Sequence, residues 1–257
     1  MPRFSANVSM LFTEHAFLDR FQAARAAGFK AVECQFPYDW PIDVVAEARV
    51  ASGLPLVLHN LPAGDWSAGE RGIACHPDRI GEFRAGVERA VDYARALECP
   101  QLNCLAGIVP PHVTDREAHA TFVANLAFAA QALKSAGLRL LIEPINTFDI
   151  PGFFLNRSAQ ALAVIEEVGA DNLFVQFDLY HAQRVEGELA GTLERHLSRI
   201  GHIQVADNPG RHEPGTGEIN YPFLFARLDA LGYRGWVGAE YVPQSGTAEG
   251  LGWMDET

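Results

Sequence analysis

The chain has 257 residues, 48% hydrophobic and 20% charged, a balance that supplies a sizeable core and excludes both a disordered chain and one rich in membrane spans. Its formal net charge of −12 disfavours nucleic-acid backbones and anionic membrane surfaces, which select basic patches. Cys34, Cys75, Cys99 and Cys104 show neither CxxC nor zinc-ligand spacing, and the opening MPRFSANVSMLF lacks the apolar core of a signal peptide, so a reduced, cytoplasmic protein is expected.

Apolar runs of strand length alternate with helix-periodic stretches from one end to the other. FSANVSM (4–10) reads as the first strand and FLDRFQAARAAG as the helix after it. AVECQF (31–36) follows, and Pro41 suits the opening turn of the helix IDVVAEARVASG. PLVLHN (55–60) precedes the helical DRIGEFRAGVERAVDYARAL, and QLNCLAG (101–107) precedes HATFVANLAFAAQALKSAG. RLLIEPIN (139–146) leads to the helical SAQALAVIEEVG, then LFVQFD (173–178), HIQVAD (202–207) and WVGAEY (236–241) complete eight strand candidates. No low-complexity stretch, linker or composition break divides the chain. Eight strand and helix units in this length predict a single (β/α)8 TIM barrel over residues 1–257. A doubly wound sheet usually has fewer strands and a glycine-rich first turn, which SANVSM lacks.

In such a barrel, catalytic groups stand at the C-terminal ends of the strands. The run RLLIEPIN carries Glu143 there, where an unpaired buried carboxylate needs a partner. The following strands bring Asp178 in VQFD, Gln204 in HIQV and Glu240 in GAEY, while His59 ends the third strand in VLHN. If Glu143, Asp178, Gln204 and Glu240 all point inward, three carboxylates and an amide oxygen meet at the barrel mouth. They would repel one another unless a cation sits between them, and oxygen ligands select a hard divalent ion, Mg2+ or Mn2+. A lone acid at a strand end is more often a loop hydrogen-bonder or helix cap; four in register on successive strands favour the cage.

The stretches FSANVSMLF, LHNLPAGDWSAGERGIAC, IEPINTFDIPGF, DLYHAQRVEGEL, ADNPGRHEPGTGEINY and GWVGAEYVPQ resemble the hydroxypyruvate isomerase family, within the xylose isomerase-like TIM barrels, from Arg3 to Trp253. The resemblance implies an aldose–ketose isomerisation in which two glutamates, Glu143 and Glu240 here, carry a proton between neighbouring carbons. It also implies a divalent metal at Glu143, Asp178, Gln204 and Glu240. Many sugar-isomerising relatives have histidine where Gln204 stands, and an amide oxygen is a harder and weaker ligand than imidazole. His181, in DLYH, matches a histidine that faces the substrate oxygens in related isomerases.

The expected substrate is a small hydroxy or oxo acid: hydroxypyruvate, or alternatively 2-oxo-tetronate or another small ketose or sugar acid undergoing epimerisation. Its carboxylate suits an arginine fork from Arg71 in AGERG or Arg211 in NPGRHEPGTGE, and Asp149 and His59 are candidates for its hydroxyls. Glu213 is a candidate loop partner of Arg211, and Trp66 a candidate lid residue, although a packing role under a long loop suits Trp66 somewhat better. A two-carboxylate glycosidase leaves Asp178 and Gln204 without a role. A metal-dependent endonuclease would bring more histidines and a basic groove, and a non-catalytic sugar-acid binder has no need of both Glu143 and Glu240. No nucleic-acid or membrane partner is expected, and homo-oligomerisation is left open.

Overall fold

The computed structural model describes residues 2–254. All eight expected strands form, as β1 (Arg3–Asn7), β2 (Ala31–Glu33), β3 (His59–Asn60), β4 (Gln101–Cys104), β5 (Arg139–Ile142), β6 (Leu173–Asp178), β7 (Ile200–Val205) and β8 (Trp236–Ala239). They pair in parallel in the order β2, β1, β8, β7, β6, β5, β4, β3. Closure comes from the segment just before β3: Val57 N–H donates to Val32 O at 2.9 Å, and Cys34 N–H to Leu58 O at 3.1 Å. The result is the (β/α)8 barrel expected from the alternation of apolar runs.

Around the barrel lie α1 (Arg20–Ala26), α2 (Ile42–Ser52), α3 (Ile80–Ala96), α4 (Asp115–Ser135), α5 (Ser158–Val168), α6 (Leu179–Val185), α7 (Leu189–His196) and α8 (Tyr221–Ala230). Local chemistry sets their ends. Thr114 and Glu117 form a reciprocal capping box at the start of α4. Gly169, with φ of +69°, ends α5 in the left-handed conformation that costs any other residue a steric penalty. Pro41 stands one position outside α2, as its N-cap, with its φ of −54° already close to helical.

Side chains alternate along each strand, and the two faces differ sharply in chemistry. Outward from β1, Phe4 meets Phe225 of α8 and Trp253 edge to face, with ring centroids 5.2 and 4.9 Å apart. These contacts tie the first strand to α8 and to the turn that carries Trp253, and each aromatic pair contributes about 0.5–1.5 kcal/mol beyond its burial. Ile203 and Val205 of β7 are likewise wholly buried. Inward, the barrel carries amides, acids and a histidine: Ser5, Asn7, Glu33, Asn60, Asn103, Gln176, Asp178, His202 and Gln204, all buried and joined by side-chain hydrogen bonds. A barrel interior is ordinarily filled by branched aliphatics. A polar one must satisfy each donor and acceptor, since an unpaired buried polar group costs ~1–3 kcal/mol.

Alternation also decides the fate of His59. Asn60 accepts from Asn103 across β3 and β4 at 3.2 Å and so faces inward. His59, one residue earlier, turns outward: its Nδ1 lies 3.1 Å from the Tyr38 hydroxyl and 3.2 Å from the Asn60 carbonyl. Complete burial lowers its pKa to about 4, so the ring is neutral. The expectation that His59 meets substrate is therefore corrected; Asn60 lines the cavity instead.

Candidate active site

A cavity of about 500 Å³ opens at the C-terminal ends of the strands, lined among others by Asn60, Trp66, Arg71, Glu143, Asp149, Tyr180, His181, Arg211 and Glu240. Glu143 and Glu240 each lie one residue beyond a strand, at the point where the chain leaves the ladder. Glu143 accepts from Asn103 Nδ2 at 2.9 Å. Glu240 Oε1 accepts from Asn7 Nδ2 at 2.9 Å and Gln35 Nε2 at 3.1 Å, and its Oε2 accepts from Arg211 Nη2 at 2.6 Å.

Asp178 ends β6 and caps α6 at once. Its Oδ1 accepts from the backbone N–H groups of Tyr180 and His181 at 2.8 and 3.3 Å, as an N-cap should. Its Oδ2 is buried without a hydrogen-bond partner, 3.8 Å from Arg211 Nη2. An orphaned carboxylate oxygen in such a place calls for a cation.

Three acids in one buried site strain one another's ionisation. Burial, then the charges of Glu240 and Asp178, push the Glu143 pKa well above the ordinary carboxylate range. Burial raises Asp178 as well, against the pull of Arg211. Glu240 rises to about 7, again through burial, with Arg211 acting in the other direction. Arg211 adopts the left-handed backbone conformation at φ of +57°, which favours glycine, and thereby places its guanidinium among these acids.

His181, 2% exposed, completes the floor. Its Nε2 lies 3.7 Å from Asp178 Oδ2 and 3.9 Å from Glu143 Oε1. Asn146 fixes the tautomer: its Oδ1 accepts from the backbone of Phe148 and Asp149, so its Nδ2 donates to His181 Nδ1 at 2.7 Å. Burial, reinforced by the charges of Arg211 and Arg184, holds the His181 pKa well below its usual value. The ring is thus neutral with its proton on Nε2, a donor aimed at the acids. Glu143, Asp178 and His181 have ligand atoms within 4.8 Å of one another, but the proton on Nε2 makes His181 a donor rather than a metal ligand. The carboxylates of Glu143 and Asp178, with the orphaned Oδ2, suit a hard divalent cation; Glu240 lies outside that cluster, its oxygens bonded to Asn7, Gln35 and Arg211.

Gln204 pairs in register with Asp178 across β6 and β7, as expected from the sequence, but its amide does not line the cavity. Its Oε1 accepts from Gln176 Nε2 at 2.6 Å and its Nε2 donates to Glu33 at 2.8 Å. The physical reason is Glu33, a carboxylate at the level of Gln204 that draws the amide nitrogen inward. Asp149 does line the cavity, but Asn146, the Tyr180 hydroxyl and the Arg184 guanidinium already occupy its oxygens. Arg71 lies with its guanidinium 4.2 Å over the Trp66 ring and donates to the Trp66 and Glu70 carbonyls. Among the described residues no carboxylate pairs with it. Arg211 pairs with Glu240 rather than with Glu213, whose Oε2 accepts from Gln244 N–H at 3.1 Å. Trp66, 38% exposed, separates the cavity from a neighbouring one of about 600 Å³ that also shares Gln35.

Asn7, Glu33, Gln35, Asn103, Asn146, Gln176 and His202 escaped the sequence reading. One signal for several of them was available: Ser5-x-Asn7, Gln176-x-Asp178 and His202-x-Gln204 are polar residues at period two inside apolar strands, the mark of a polar inner face.

A family model described as "Xylose isomerase-like TIM barrel" matches residues 21–257. Among curated proteins, the chain is 54% identical to a hydroxypyruvate isomerase from Escherichia coli (strain K12) over 255 residues, 99% of each chain. It is 51% identical to a 2-oxo-tetronate isomerase from Cupriavidus necator, over 99% of this chain and 98% of that one. A crystal structure described as "AP endonuclease, family 2 from Brucella melitensis" superposes with a TM-score of 0.97 at 44% identity, covering 100% of this chain and 99% of that one.

Proposed function

The chain belongs to the xylose isomerase-like TIM barrel family and is an isomerase, and from that premise we propose that it interconverts hydroxypyruvate and tartronate semialdehyde. The observation that carries this reading is the shared cavity of Glu143 and Glu240, two buried acids from opposite ends of the second half-barrel that meet around Asp178. An acid pair with raised pKa values is suited to taking and returning a proton near neutral pH.

Hydroxypyruvate has a ketone beside a hydroxymethyl carbon. One glutamate removes a proton from the hydroxymethyl carbon, giving an enediolate, and the glutamate pair returns a proton to the neighbouring carbon. The hydroxyl proton passes to the former ketone oxygen, so that an aldehyde and a secondary alcohol result and no atom is gained or lost. His181 Nε2–H faces this region as a neutral donor to an oxygen on which charge develops. Asn7 and Gln35 hold one Glu240 oxygen in place, leaving Arg211 to hold the other. Arg71, paired with no carboxylate among the described residues and stacked on Trp66, is the fork for the substrate carboxylate. Glu143 and Asp178 would hold Mg2+ or Mn2+, with Glu240 the third ligand expected from the sequence, while Gln204 keeps its oxygen on Gln176 and its nitrogen on Glu33. A divalent cation there supplies Lewis-acid stabilisation of the charge on the substrate oxygens.

The 51% identity to a 2-oxo-tetronate isomerase favours that acid as a second substrate. A phosphodiester backbone fits poorly, because the chain carries a net charge of −12 and its cavity is floored by acids. Turnover of purified protein on hydroxypyruvate and on 2-oxo-tetronate, with and without a chelator, tests the reading. A much larger kcat/KM for 2-oxo-tetronate would replace the substrate and keep the chemistry; no turnover of either would remove both.

A further inference from the structure

Below the cavity floor the barrel holds a carboxylate for which the proposed chemistry has no direct use. Glu33, on β2, is wholly buried. Its Oε2 accepts from Ser5 Oγ at 2.7 Å and lies 2.8 Å from His202 Nε2. Its Oε1 accepts from Gln204 Nε2 at 2.8 Å and from Asn7 Nδ2 at 3.3 Å. Space for it is built into the neighbouring strand: a Cβ on Gly238 of β8 would stand 2.3 and 2.4 Å from the two Glu33 oxygens.

Of the two amides that touch Glu33, Asn7 also touches the site above. Asn7 Nδ2 reaches both Glu33 and Glu240, while Asn7 Oδ1 accepts from Ser9 N–H at 3.1 Å. Gln204 gives its nitrogen to Glu33 and keeps its oxygen for Gln176. An amide offers a donor on one side and an acceptor on the other, whereas an ionised carboxylate only accepts. With Glu33 present, Gln204 has one orientation. With an amide at position 33, the chain through Gln204 and Gln176 can also run in the reverse direction.

We propose that Glu33 is a positioning residue, which through its contacts with Gln204 and Asn7 fixes the direction of the amide chain and the seat of the Glu240 carboxylate. The proposal rests on Glu240 serving in proton transfer, as read above. The competing role for a buried acid meeting four donors is to hold strands together, and a purely structural role would lower stability without changing the folded molecule's chemistry.

Glu33→Gln in the full chain separates the two. Turnover of hydroxypyruvate and of 2-oxo-tetronate is measured beside the parent, with the folded fraction taken from the cooperative melt, and Mn2+ binding is measured by calorimetry. The expected result is a kcat per folded molecule at least about tenfold lower with KM within about threefold, and a Mn2+ Kd raised at least about fivefold. A kcat per folded molecule within about twofold of the parent, or an unchanged Mn2+ Kd, overturns the proposal even if the melting point falls. A parent inactive on both acids defeats the functional reading instead, and Mn2+ affinity then decides the role of Glu33. Should Glu33→Gln not fold, Gly238→Ala, which crowds the same carboxylate with a methyl group, is read by the same criteria.

Discussion

Arg211 Nη2 stands 2.6 Å from Glu240 Oε2, so the loop after β7 supplies a resident cation to an acid at the end of β8. That guanidinium lowers the Glu240 pKa against the effect of burial. Arg211→Met should therefore move the acid limb of the kcat/KM profile to higher pH, because Glu240 must ionise without its counter-ion. The limb is read from initial rates between pH 5 and 9, and an unmoved limb would detach Arg211 from Glu240 in the working enzyme.

Glu143→Gln and Glu240→Gln should each lower kcat by at least about a thousandfold, since each removes one partner in proton transfer. Neither should lower the melting temperature. Both acids have folded-state pKa values above the ordinary carboxylate range, so at neutral pH their charge opposes folding. Near-normal turnover in either variant would take that glutamate out of the proton path.

The same shifts give a pH dependence of stability. With a chelator present, the folded state binds more protons than the unfolded state between the unfolded carboxylate pKa and the folded value of about 7 for Glu240, so stability falls as pH rises through that window. Added Mn2+ should raise the melting temperature more at pH 7.5 than at pH 5, by at least about 3 °C. Equal stabilisation at both pH values would argue against a cation among these acids.

Trp66→Ala should join the catalytic cavity to the one beside it and remove the support of the Arg71 guanidinium. The kcat/KM for hydroxypyruvate should fall by about tenfold or more, while that for 2-oxo-tetronate falls less, because the longer acid gains room. A preference between the two acids that stays the same in the variant would assign Trp66 to packing alone.

His59→Gln should leave KM for either acid within about twofold, as its ring faces Tyr38 and the helix layer. A large rise in KM would reinstate His59 in the cavity.

Much of this was legible in the linear chain. The alternation of eight apolar runs with helical periodicity fixes the barrel, because a strand buried on both sides and a helix with one apolar stripe leave different periods in the sequence. Acids at the ends of such runs mark the mouth, which is why Glu143, Asp178 and Glu240 were visible without coordinates. What the chain could not specify by itself were the contacts made across the barrel. Whether His59 or Asn60 faces inward depends on a one-residue phase of β3 set by pairing with β4. Whether Gln204 turns up to the acids or down to Glu33 depends on a carboxylate 171 positions away in the chain. Side-chain period follows from local backbone geometry and so is written in sequence; the partner of a buried polar group is chosen by whichever donors and acceptors the closed barrel brings within about 3 Å, and only the tertiary structure decides that.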